Sequence, residues 1–147
     1  MTYLEKITYL TGNFIQLCQF SLKNTFRFVS LLERRESENV YTHQSEVNLV
    51  MAENNAKKLV VDYAFKGSDE ILDYLKDKGL SAKDYKEISF LLKKRDYVVS
   101  SFYLDNAEQI ATEEIAVYVS KINELEDYCN KAIAYNQKIG KECDRLY

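Results

Sequence analysis

Residues 2–35 read TYLEKITYLTGNFIQLCQFSLKNTFRFVSLLERR. Leu4, Ile7, Phe14, Leu17, Cys18, Leu22, Phe26, Val29 and Leu32 recur at spacings that fall on one face of an α-helix. Thr2, with Glu5 three residues on, has the form of a capping box, in which each partner satisfies an orphan backbone N–H. The spacing therefore predicts one long helix from Thr2 to about Arg35. Gly12 lies inside it at a cost of about 1 kcal/mol relative to alanine. An apolar stripe this long needs other helices to cover it.

The rest of the chain supplies them. Glu36–Tyr41 breaks the pattern and reads as a connection. A second helix is predicted over His43–Lys66, with Val47, Val50, Met51, Leu59, Val60, Tyr63 and Ala64 inward, stopping at Gly67. Ser68-Asp69-Glu70 is expected to cap a short helix over Ile71–Lys78, closed by Gly79. Ser81 with Asp84 opens a fourth helix to about Tyr103, with Tyr85, Ile88, Leu91, Leu92, Val98, Val99 and Phe102 inward. Asp105 and Asn106 mark a polar stretch, and Thr112-Glu113-Glu114 caps a last helix running almost to Tyr147. Its inward stripe is Ile115, Val119, Ile122, Leu125, Cys129, Ala132, Ile133 and Ile139. The expected fold is all-α: one domain over residues 1–147, an antiparallel up-and-down bundle of four long helices plus one short helix.

Composition narrows the function. With 20 Lys+Arg against 23 Asp+Glu, the formal net charge is -3, which speaks against a protein that coats DNA through a basic face. Hydrophobic residues make up 46%, too many for a disordered chain. No apolar run is long enough to span a membrane, and the opening Met1-Thr2-Tyr3-Leu4-Glu5-Lys6 does not read as a secretion signal. Cys18, Cys129 and Cys143 form no C-x-x-C pair, and the last two fall about 21 Å apart on one helix, too far for a disulfide. Free thiols in a reducing cytoplasm are expected. One histidine, His43, is too few for a metal centre, and no glycine-rich phosphate loop occurs, so no metal or cofactor is expected. The 12 tyrosines fit core margins or a partner-binding surface.

Residues 91–103 read LLKKRDYVVSSFY. Arg95-Asp96, with the aromatic pair Phe102-Tyr103, resembles the R-[ND]-x-x-x-H signature of the HEPN superfamily, and Ser100 stands where the histidine falls. The order of two long helices, a short insertion, the motif helix and a long closing helix is similar as well. Active members are generally dimeric ribonucleases that set Arg and His from both protomers in one cleft. The resemblance thus implies a homodimer with Arg95 and Asp96 in a shared groove. A serine hydroxyl cannot do the work of that imidazole without a base beside it.

The resemblance implies a noncatalytic HEPN-like interaction protein of a bacterial or phage toxin–antitoxin, defence or counter-defence system. It would act by protein–protein binding through Arg95, Asp96, Ser100, Phe102 and Tyr103. Arg34 and Arg35 would lie at the same end of the bundle, forming a small basic patch with Lys93 and Lys94. Two alternatives stand beside it. One is a metal-independent ribonuclease using Arg95 with His43, with Asp96 as a further catalytic candidate and RNA as substrate. The other is an unrelated helical inhibitor or immunity-type protein.

Overall fold

The structure is a computed structural model describing residues 1–37, 45–111 and 114–147. It is all-helical, with no strand among the described residues: α1 Tyr3–Ser37, α2 Ser45–Tyr63, α3 Ser68–Leu75, α4 Ala82–Ser100, α5 Phe102–Ala111 and α6 Ile115–Leu146. The capping box forms, since Thr2 Oγ1 accepts from the Glu5 N–H and the Thr2 N–H donates to Glu5 Oε2, both at 3.1 Å. Ser81 caps α4 by accepting from the Asp84 N–H at 3.0 Å.

Several boundaries differ from the sequence expectation. α2 stops at Tyr63, not Lys66, because the Lys66 N–H bonds the Tyr63 carbonyl at 3.1 Å and closes a turn. α3 begins at Ser68, capped by Gly67 without a side-chain bond, and ends at Leu75. Extended backbone at Lys76, with ψ 133°, stops it from reaching Lys78, and the left-handed Asp77 (φ 61°) and Gly79 (φ 95°) then turn the chain. A Cβ at Gly79 would also meet Leu32 Cδ1 at 3.1 Å, so the turn favours glycine there on two counts.

α4 ends at Ser100, where the Ser100 hydroxyl bonds the Asp96 carbonyl of the preceding turn at 2.7 Å. The stretch holding Asp105 and Asn106, expected as a connection, is the separate helix α5. Asn106 is buried there because its amide donates to the Phe102 carbonyl at 2.7 Å and to the Tyr97 hydroxyl at 3.2 Å. The expected cap at Thr112-Glu113 and the start of the second helix at His43 lie outside the described residues.

α1 is central, packing against α6, α2 and α4. Ile7, Phe14, Cys18, Leu22, Phe26 and Val29 are buried along it. Ser21 and Thr25 are buried too, each donating its hydroxyl to the carbonyl four residues back, at 3.0 and 2.7 Å. Those local bonds let a helix with neighbours on several sides bury polar residues at little cost.

Contacts between α1 and α6 rise together along both helices. Tyr3 stacks on Tyr118 at 5.7 Å, Asn24 meets Asn136 at 3.0 Å, and Arg34 meets the Leu146 carbonyl at 2.6 Å. The two helices therefore lie side by side in the same direction, a departure from antiparallel neighbours throughout. α4 opposes α1, with Gly79 near Leu32, Leu91 at Cys18 and, beyond it, Tyr103 at Thr11. The short α3 adds the reversal that turns α6 back along α1.

Not every expected core position is inside. Leu4, Val50, Met51, Val99, Ile115, Val119 and Ile133 are exposed. On α2 the reason is plain: α1 covers the face holding Ala52, Ala56 and Leu59, while Val50, Met51 and Val61 fall on the far side. Cys18, Cys129 and Cys143 are free and buried.

Candidate functional site

Arg95 sits in the last turns of α4, and its Cβ direction carries the guanidinium down toward α1 and the turn between α2 and α3. It is 6% exposed. Nε and Nη2 donate to Asp96 Oδ1 at 3.2 and 2.8 Å, Nη2 also to the Lys66 carbonyl at 2.9 Å, and Nη1 to Gln19 Oε1 at 3.5 Å. A buried guanidinium needs this many partners to offset lost hydration.

Asp96 works alongside it. Its Oδ2 accepts the Ser68 backbone N–H at 2.7 Å. Burial pushes the Asp96 carboxyl up, but the Ser68 N–H, Arg95 and the Ser68 hydroxyl together hold it below its ordinary value of 3.8. The neighbouring residues on α4 thus bond both sides of Gly67, one at the Lys66 carbonyl and the other at the Ser68 N–H.

Above this pair lies an open groove of about 450 Å³, walled by Ile15, Gln19, Phe65, Val99 and Ser100. Phe65 is fully exposed at its rim, and Val99 is largely so. Arg95 and Asp96 form the floor.

The other expected site residues scatter. Ser100 lines the groove, but its hydroxyl is turned back on its own helix, with Ser101 Oγ 3.2 Å away. Phe102 is fully buried and packs edge-on against Tyr97 and Tyr103, so it is core and not surface. Tyr103 is part exposed, its hydroxyl 3.2 Å from Thr11 Oγ1.

Arg34 and Arg35 do not join the group. Arg34 bonds the Leu146 carbonyl at the far end of α6. Fifteen residues of helix separate Arg34 from Gln19, about 22 Å. The expectation that both ends meet fails because α4 opposes α1, which puts the C-terminal end of α4 beside the first half of α1. Lys94 is drawn instead to the Phe90, Tyr97 and Tyr128 rings, at 5.5 to 5.7 Å. His43 lies outside the described residues.

Sequence reasoning missed Gln19, Phe65 and the turn at Lys66–Ser68. The available signal was Phe65 just before Gly67, an aromatic at a helix stop with no place in the α2 stripe. The Cys18 thiol is not an activated nucleophile, since burial pushes it up to about 12 despite Arg95. Among the described residues, no cluster of three or more His, Cys, Asp or Glu is arranged to hold a metal ion. No described helix is long and apolar enough to cross a membrane.

Compared with protein-family models, with curated proteins and with solved structures, the chain matches none of them.

Proposed function

We propose that this chain is a noncatalytic interaction protein, HEPN-like in its motif, that works by binding protein at the groove above Arg95. A second copy of the chain is the first occupant proposed, through a face centred on Phe65 and Val99. The helices are taken as an up-and-down bundle built on α1, with α3 and α5 as short pieces beside α2, α4 and α6. By analogy with the family, its setting is a toxin–antitoxin, defence or counter-defence system of a bacterium or phage, inside the cytoplasm.

The observation that carries this reading is how Arg95 is used. A phosphate-gripping arginine keeps donors turned outward for a ligand. Here the guanidinium is buried and turned on Asp96, the Lys66 carbonyl and Gln19. The exposed apolar side chains of the groove are Phe65 and Val99, beside the exposed Lys66 and Ser100. An exposed aromatic beside a buried arginine whose donors are already taken suits an interface centre better than a reaction centre.

The test of the noncatalytic claim is incubation with single-stranded and structured RNA. The expected result is intact RNA with wild type and His43→Ala alike. Cleavage by wild type that disappears in His43→Ala would overturn it.

A further inference from the structure

A second groove lies between α4 and α6, away from Arg95. Its volume is about 590 Å³, and the half-buried Phe90 lies at its floor over the buried Leu91 and Tyr135. Lys83 and Lys86 edge it on α4, with Lys131 and Lys138 on α6. Lys83, Lys86 and Phe90 follow three- and four-residue steps, as do Lys131, Ala134 and Lys138, so each set forms one ridge. Each ridge is about 10 Å long, roughly two helical turns.

The charge is segregated. The whole chain carries a formal net charge of -3, yet Glu87 is the one carboxylate among these lining residues. Lys138 is committed to Asp84 at 2.6 Å and to Glu87, and Lys131 to Asp127 at 3.1 Å. Lys83 and Lys86 are exposed and enter none of the ion pairs among the described residues.

We propose that this groove docks an acidic amphipathic helix of a partner protein, its apolar side on Phe90 and Ala134 and its carboxylates against Lys83 and Lys86. Two helical ridges around an apolar floor present the shape that a third helix fills, with anchors at three- and four-residue spacing. Charge complementarity sets the sign of the partner. Nucleic acid fits less well. Among the described residues no arginine lines the groove to grip phosphate in a fork. The proposal does not depend on the function of the Arg95 groove.

The test is fluorescence anisotropy with a labelled amphipathic peptide of leucine and glutamate heptads, at about 0.15 M salt. Wild type is expected to bind it, and Lys83→Glu combined with Lys86→Glu to weaken binding about tenfold or more. Ala134→Arg is the discriminating variant: Ala134 is exposed in the groove wall, so arginine obstructs the groove while adding positive charge. Weaker binding by this variant supports docking in the groove, and tighter binding would show diffuse attraction and overturn it. Unchanged circular dichroism shows that the variants remain folded. No binding to wild type at about 100 μM, equal binding by the lysine variant, or displacement of the peptide by mixed-sequence single-stranded RNA would each overturn the proposal.

Discussion

The Asp96 carboxylate accepts the Ser68 backbone N–H at 2.7 Å, binding the first residue of α3 to the last turns of α4. Arg95 completes the clasp at the Lys66 carbonyl. A motif pair that resembles a catalytic signature is spent on holding a turn, and the turn in turn holds Phe65 at the rim of the groove.

Replacing Arg95 by methionine leaves the Lys66 carbonyl and Asp96 without their cation. A loss of about 2 kcal/mol is expected, since the stranded groups must be desolvated but Asp96 keeps some water. Urea unfolding of wild type and Arg95→Met measures it. Arg95→Lys should recover less than half of the loss, because one ammonium cannot span both acceptors.

Asp96 also sets an acid limb to stability. Its folded carboxyl is held below 3.8, so the unfolded chain takes up the proton first. Its contribution is complete above the unfolded value and is lost as pH falls through the folded one. Asp96→Asn should flatten unfolding free energy against pH below about 4. An unchanged acid limb would show that the clasp contributes nothing.

Glu142 behaves in the opposite sense. Burial and the nearby Asp84 raise its carboxyl above the ordinary 4.5. The folded state favours its protonated form, a contribution present below the unfolded value and lost as pH rises through the folded one. Glu142→Gln should therefore raise stability at pH 7, by less than about 1 kcal/mol, and leave it unchanged near pH 3. Thermal unfolding at the two pH values checks the sign.

Gly79→Ala tests the turn before α4. The positive φ of 95° and the 3.1 Å approach of Leu32 Cδ1 both oppose a Cβ. A loss of about 1–2 kcal/mol in urea unfolding is expected.

The thiols should be silent in the native state. Burial pushes Cys18 up to about 12 and Cys143 up to about 11. A disulfide reagent at pH 8 should label both slowly when folded and promptly in denaturant. Rapid labelling of the folded protein would contradict their burial.

The helices were legible wherever one apolar stripe faced one way, as along α1 from Ile7 to Val29. α2 misled because Val50 and Met51, expected inward, fall on its uncovered side with Val61. α5 was hidden because Asn106 reads as a connection until its amide finds the Phe102 carbonyl and Tyr97. Arg95 and Asp96 could be singled out from their letters, but not what they hold. The Lys66 carbonyl and the Ser68 N–H are backbone atoms with no sequence signature, and Gln19 lies 76 residues away in the chain. The parallel run of α1 and α6 depends on how many times the chain reverses, which stripes alone do not count.

Association through the Arg95 groove is tested most directly by sedimentation velocity at tens of micromolar, a range in which a modest dimer is populated. Wild type is expected to sediment as a dimer and Phe65→Glu as a monomer with the same helical content. A wild-type monomer throughout, or a dimer that Phe65→Glu leaves intact, would contradict it.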